Sequence, residues 1–351
     1  MSPQFVDFNG DGNLDIVAGI FDGSPYVAIG DGNHWQQPTQ ILDKNGERIV
    51  LNAYWDYENK HWADTDRCDP EHNMPTSGGK AVEGHLTSAI ALDWDYDGDF
   101  DLLLGDHKGG YVYLRRNLGS NQAPKFATKN EVVMAGGSPM HDPGTVATLR
   151  SVDWNADGKL DLMIGGMGDT SGNGAGGGVK VYLNQGTPKT MSFSKAITLI
   201  EPSSRPMVHN PMRPDNGLYP DAVDVDGDGD LDLIVGGYSY WTPKSAALSL
   251  EEAAELAKLK DDLIAVTAES AALQAVIKSA TAGLEGDARI KKHTAIYDVQ
   301  RPQRSILASK RLAITTRIEE LEPQPKRMSF TWLYENTTKA TKQAKQTAGQ
   351  R

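Results

Sequence analysis

Residues 93–105 read DWDYDGDFDLLLG. The opening nine residues fit Asp-x-[Asp/Asn]-x-Asp-Gly-x-[Leu/Phe]-Asp. The same frame recurs as DFNGDGNLD from Asp7, DWNADGKLD from Asp153 and DVDGDGDLD from Asp224. Each copy runs straight into an apolar stretch: IVAG, LLLG, LMIG, LIVG. Such a run, rich in leucine and β-branched residues and ending near glycine, predicts a buried strand. The repeated unit is therefore an oxygen-rich loop feeding a strand.

The loop composition suits a hard cation. Calcium takes about six to eight oxygen ligands and tolerates irregular geometry. Positions 1, 3 and 5 offer Asp7, Asn9 and Asp11; Asp93, Asp95 and Asp97; Asp153, Asn155 and Asp157; Asp224, Asp226 and Asp228. Position 7, which is Asn13, Asp99, Lys159 or Asp230, offers its backbone carbonyl, so its side chain is expected to be free to vary. Position 9, which is Asp15, Asp101, Asp161 or Asp232, closes the cage. Glycine at position 6 permits the sharp turn. An EF-hand opens in the same way but needs a bidentate Glu at position 12 and flanking helices. Position 12 here is Ala18, Leu104, Ile164 or Val235, none of which binds a cation. One such string alone reads equally as a solvated Asx turn. Four copies with the same closing Asp and the same apolar continuation argue for four structural calcium ions. Magnesium fits less well, because it wants fewer protein ligands and a stricter octahedron.

Charge follows the loops. Residues 1–244 hold 34 acids and 18 bases, and 16 of those acids lie inside the four loops. Residues 245–322 are nearly neutral, and 323–351 carry net charge +5. The acidity is thus cation ligation more than a general acidic surface, and it excludes nucleic acid as a partner. Cys68 is the single cysteine, so no intrachain disulfide forms. The sequence shows no signal peptide and no run read as long enough to span a membrane. Weak extracellular-type calcium sites fill at millimolar calcium, which points to a secreted, extracellular or periplasmic location. MSPQFVDF begins almost inside a strand, so a trimmed N-terminus is expected.

The loops start 86, 60 and 71 residues apart, a spacing that indicates a repeated supersecondary unit. After each loop-strand come a second strand (YVAIGDG at 26–32, GYVYLRRNLGS at 110–120, VKVYLNQGT at 179–187) and a third (QQPTQIL, PKFATKNEVV, MSFSKAITLI). The next unit opens with an apolar segment before its own loop. Four short antiparallel strands per unit make one propeller blade. The units resemble FG-GAP or VCBS repeats, the calcium-loop blades of integrin α-subunit heads and of many secreted bacterial propellers. The resemblance rests on the Asp loop and the following YLxNxG strand. It covers most of 1–243 and resumes near 327. It implies an all-β propeller of four-stranded blades, with a native ring of four blades or more.

The fourth unit is interrupted. Residues 244–326 read as an inserted antiparallel helical hairpin, and 327–338 as the strand that returns to the last blade. Ser249-x-x-Glu252 forms a capping box. Leu256, Leu259, Leu263, Val266, Ser270, Leu273 and Ile277 then recur at spacings of three and four, as do Leu307, Arg311, Ile314, Ile318 and Leu321. Gly283 and Gly286 break the first helix, and Pro302 is expected to open the second region. Secreted bacterial propellers carry similar hairpins in a late blade. The tail 339–351 is basic and reads as disordered.

The longest interval hides an insertion at 43–85. Its aromatics Tyr54, Trp55, Tyr57 and Trp62 alternate with carboxylates and suggest a binding loop for a sugar or peptide. A loop that packs its own aromatics explains the same residues. His61, Cys68 and His72 match no standard metal spacing. The glycine-rich 165–178 lacks a phosphate-loop lysine and reads as a hairpin tip. His141 and His209 are candidates without partners, and no nucleophile–His–acid order stands out. Two functions follow as expectations. One is a non-enzymatic binding or scaffold module for protein or glycan ligands, its hairpin serving self-association or partner contact. The other is a carbohydrate-active lyase or hydrolase.

Overall fold

The computed structural model describes residues 3–51, 53–64, 76–77, 80–81, 84–107, 109–141, 148–168, 175–187, 190–204, 207–208 and 211–337. The chain is mostly β, with several antiparallel sheets and two helices, and it divides into two units. Unit 1 is Met1–Tyr240 with Arg327–Arg351, and unit 2 is Trp241–Lys326.

Unit 1 repeats one plan. Each Asp loop is the connection of a β-hairpin, and its position-9 Asp is the first residue of the second strand. The first sheet runs Gln4–Val6, Asp15–Gly19, Pro25–Ala28, Thr39–Gln40. The second runs Leu86–Leu92, Asp101–Asp106, Val112–Arg115, Glu131–Val132. The third runs Thr148–Val152, Asp161–Gly165, Val179–Tyr182, Ile197–Ile200. In all three, neighbours in sequence are neighbours in the sheet. In the fourth, Asp232–Trp241 pairs with Asn216–Val223, Met207–Val208 and the returning strand Lys326–Tyr334.

Apolar side chains fill the spaces between successive sheets. Leu102 and Leu104 face a cluster with Val17, Val27 and Phe126, whereas Leu103 faces Leu149, Leu162 and Ile164. A strand packed on both faces has no polar side to spare, which is why LLLG is continuously apolar. Met163, Val179, Leu218, Leu233 and Val235 form the third cluster. The glycines that end the loop-strands allow close approach. A Cβ on Gly19 would lie 2.6 Å from Leu86 Cδ2, and one on Gly165 would lie 2.2 Å from Leu218 O. The sheets therefore stack in chain order. Among the described residues the stack does not close into a ring, and the blade number implied by the family resemblance is not fixed by it.

Unit 2 is a pair of antiparallel helices, α1 (Leu250–Ala280) and α2 (Gly286–Leu321). Ser249 caps α1, its hydroxyl accepting from Glu252 N while the Glu252 carboxylate accepts from Ser249 N. Leu256 and Val266 pack on Leu307, Ile314, Ile318 and Leu321, flanked by Leu259, Leu263 and Leu273. Arg317 reaches across to both oxygens of Glu255, at 2.8 and 2.9 Å.

Two expectations need correction here. Pro302 does not open α2 but lies inside it. Residues 287–301 contain no other breaker, and the proline removes only one backbone donor. Cross-helix contacts such as Gln300 Nε2 to Leu273 O also hold the early turns of α2 along α1. In addition, α1 is long and apolar enough, by length and composition, to cross a membrane, with a window of mean hydropathy 1.3. Its charges cluster in the first half, leaving Glu269 and Lys278 alone after Asp262.

Candidate metal centres and an aromatic cleft

Three loops share one hydrogen-bond scheme, and the fourth varies it by one residue. The position-1 carboxylate gathers amides across the turn. Asp7 accepts from Asp11 N and Gly12 N, Asp93 from Asp97 N and Gly98 N, Asp153 from Asp157 N and Gly158 N, and Asp224 from Gly227 N and Gly229 N. The position-5 carboxylate accepts from the amide of position 7: Asp11 from Asn13, Asp97 from Asp99, Asp157 from Lys159, and Asp228 from Asp230. These bonds wrap the loop so that its oxygens converge. Asp93, Asp95 and Asp97 each place an oxygen within 4.8 Å of the others, and so do Asp224, Asp226 and Asp232.

Position 9 does more than the sequence suggested. One oxygen accepts a loop amide and the other accepts an amide at the end of the next strand. The pairs are Asn9 N and Gly30 N on Asp15, Trp94 N and Asn117 N on Asp101, Trp154 N and Asn184 N on Asp161, and Val225 N and Asn336 N on Asp232. In three loops the strand-end amide belongs to an asparagine. That residue is Asn184 in YLNQG, Asn117 in YLRRNLG and Asn336 in WLYEN. Asn117 and Asn184 turn their own Oδ1 onto the following loop, accepting from Gly119 and Lys125 and from Gly186 and Ser192. The position-9 Asp is thus a clamp, fully buried in Asp15 and Asp161.

At position 7, where the backbone carbonyl is the expected ligand, side chains also approach the loop carboxylates. Asn13 Nδ2 donates to Asp11 Oδ1 at 3.0 Å, and Lys159 Nζ lies 3.8 Å from Asp157 Oδ2. Asp99 is buried, and neither buried oxygen of Asp230 receives a hydrogen bond. A side chain this close to the loop carboxylates counts in the local charge, whichever atom a cation would touch.

Electrostatics separate the loops. Burial, then Asp97, Asp95 and Asp93, push Asp99 up to about 6. Burial also pushes Asp101 up to about 7, against the pull of the Asn117 amide. Burial raises Asp161 and Asp230, the latter with Asp228, Asp232 and Asp226 adding. Asp232 is held down by the Asn336 and Val225 amides, and Asp11 by the Asn13 amide. The donor set is all oxygen, crowded with like charge, and in the fourth loop includes a buried carboxylate without a donor. Those features fit a hard divalent cation.

The insertion holds a second feature. Ala53–Asp56 and His61–Asp64 pair as a hairpin, with Trp55 opposite Trp62. Trp55, Tyr57 and Trp62 line a cleft of about 520 Å3 together with Ile20, Phe21 and Asp22 from a turn of the first sheet. Tyr54 does not join them; Arg48 lies 4.7 Å over its ring and pairs with Asp22 at 2.9 Å. Phe21 carried no sequence signal, because a turn aromatic 34 residues before Trp55 becomes its neighbour only through the fold. Behind Trp62, His85 and His107 stack with centroids 4.4 Å apart. Burial, then His107, lowers His85 to about 4, and its buried Nε2 has no partner. His141 lies against Tyr111, the rings tilted by 33° with centroids 4.5 Å apart. Cys68, His72, His209, residues 169–174 and the tail 339–351 lie outside the described residues.

Comparison with known families bears on the loops. Residues 153–235, from the third loop to just past the fourth, match the model of the FG-GAP-like repeat. The third and fourth Asp loops thus lie in a segment similar to the repeat that the loops resemble. No curated protein matches it significantly.

Proposed function

We propose that this chain is a calcium-stabilised, propeller-type binding module that works outside the cytoplasm and catalyses no reaction. The observation that carries the reading is the four-fold recurrence of an all-oxygen loop at the same corner of each sheet. Asp93, Asp95 and Asp97 would hold one ion, and Asp224, Asp226 and Asp232 another. Asp7, Asn9 and Asp11, and Asp153, Asn155 and Asp157, would hold two more. A bound calcium neutralises the carboxylate cluster and ties the loop to the strand that follows it. The chain's own residues do the rest: position-1 carboxylates shape the turn and position-9 carboxylates lock it to the next strand. The FG-GAP-like match supports both the cation and the extracellular setting. The aromatic cleft supports a ligand-binding role, with protein or glycan ligands on the sheet unit and partner or self contact through unit 2.

The test is elemental analysis of gel-filtered protein together with melting curves in calcium and in chelator. About four calcium ions per chain and a chelator-sensitive melt are expected. Absence of bound calcium with an unchanged melt would sink the reading of all four loops. A glycan array and a pull-down on the calcium-loaded protein test the binding role, and turnover of a polysaccharide would replace it with the enzymatic one.

A further inference from the structure

The cleft beside the first sheet has walls of an unusual kind. Phe21 meets Trp62 at 81° with centroids 5.6 Å apart, and Trp55 meets Trp62 at 74° and 5.9 Å. The rings therefore form a corner, and Tyr57 and Ile20 extend it. A flat pyranose stacks on one open ring face. A corner of near-perpendicular rings instead surrounds a compact, rounded group.

Asp22, the one carboxylate of the wall, is already engaged. Asp22 Oδ1 accepts from Ser24 N at 3.0 Å, and Oδ2 accepts from Tyr26 Oη at 2.8 Å and pairs with Arg48. The Asp22 carbonyl accepts from Arg48 Nη2 and Trp55 N. A sugar hydroxyl entering here would have to compete for that carboxylate with the donors it already holds. Charge points the same way. Asp56 and Glu58 sit in the turn of the hairpin that carries Trp55 and Trp62, against one base, Lys60. Burial disfavours the charged form of both His85 and His107, which lie behind Trp62. The hairpin already holds one cation on an aromatic face, Arg48 over Tyr54.

Resting on the binding-module reading, we propose that the Phe21–Trp55–Tyr57–Trp62 cleft receives a methylated or alkylated ammonium group of its ligand. Such a cation is large and weakly hydrated. It sheds water readily and is attracted to the negative faces of several rings at once. The source of the group, a small quaternary amine or a methylated side chain, is secondary to this shared chemistry.

The experiment titrates the calcium-loaded full chain with choline and with 3,3-dimethylbutan-1-ol, its uncharged isostere, by calorimetry and tryptophan fluorescence. Choline should saturate, and the isostere should bind at least about tenfold more weakly. Phe21 and Tyr57 are largely exposed, so Phe21→Leu and Tyr57→Leu keep apolar bulk and the fold while removing a π face. Each should weaken choline by roughly three- to tenfold at an unchanged melting temperature. Equal binding of the isostere, or no saturation by choline up to about 100 mM, overturns the proposal. If a neutral sugar or an apolar peptide fills the cleft instead, the cation falls while the binding module stands. If the protein turns over a polysaccharide with choline still bound in the cleft, the module reading fails and the cleft assignment survives.

Discussion

In unit 1, side-chain carboxylates hold backbone amides at every sheet corner, and the strands themselves are short. In unit 2, the backbone satisfies itself along two long helices, and side chains meet in one seam. The sheets need help because their outer strands make few ladder bonds; Thr39–Gln40 and Glu131–Val132 have two residues apiece. The loops supply that help at the cost of crowding like charges. The helices need none of it, since a capping box, the Leu256–Val266 seam and the Glu255–Arg317 pair close the hairpin without a cation. On the proposed calcium reading, one chain would contain a part whose stability is tied to its solvent ions and a part whose stability is not.

The largest expected effect exploits this difference. With dissociation constants of about 0.1–1 mM and about 2 mM calcium, each site adds roughly 0.6–1.8 kcal/mol by mass action. Removing all four should lower the melting temperature of unit 1 by roughly 10 °C or more. The helical signal at 222 nm should keep its own transition. A single transition that shifts as a whole in chelator would show the two units to be one cooperative body.

The converse experiment attacks the seam. Ile314→Ala, in the buried interface of α1 and α2, should cost the hairpin about 2–4 kcal/mol. It should leave the calcium-dependent melt of the sheets in place. Loss of calcium binding in this variant would break the comparison from the other side.

A smaller effect concerns pH. The depressed pKa of His85 means its neutral form is favoured in the folded state. That contribution is present above the unfolded value near 6.5 and is lost as pH falls towards about 4. At fixed calcium, His85→Phe should therefore flatten the fall of melting temperature between these values relative to the parent protein. An identical slope in both proteins argues that His85 is not the group responsible.

The smallest effects lie within the third loop. Asp157→Ala should remove one bound calcium of the four and a corresponding part of the thermal shift. Lys159→Ala should keep all four. With its ammonium 3.8 Å from Asp157 at a partly exposed site, its removal should tighten that site by a factor of about two to five. Unchanged affinity would mean that solvent screens the lysine fully.

What was legible in the sequence follows the same division. The Asp loops and the seam residues recur at fixed spacing, and local geometry alone dictates such spacing. The loop clamp was half legible: Asp101 announced itself, but its bond to Asn117 depends on a strand pairing 16 residues away. Pro302 misled because propensity was allowed to outweigh the packing of a whole helix. Phe21 and Asp22 were invisible as cleft residues, since only the stacking of the insertion on the first sheet makes them neighbours of Trp55. Lys159 was legible only as a position whose side chain is free to vary; that its ammonium lies 3.5 Å from Asn184 O and 3.8 Å from Asp157 depends on the strand pairing that brings Asn184 alongside.

The clamp of the fourth loop also has a consequence in time. Asp232 and Asn336 are 104 residues apart in sequence, whereas Asp101 and Asn117 are 16 apart. For a flexible chain, that difference in closure adds about 1.6 kcal/mol of entropy, at roughly 0.6 kcal/mol per doubling. A folded hairpin shortens the effective tether, because antiparallel helices return the chain to where it left. The strand Lys326–Tyr334 is then the last piece of its sheet to arrive, and its arrival waits on the helices. During synthesis the first three sheets would be complete while the fourth still lacks its partner strand, leaving the Asp232–Trp241 edge open for as long as the ribosome takes to deliver the hairpin.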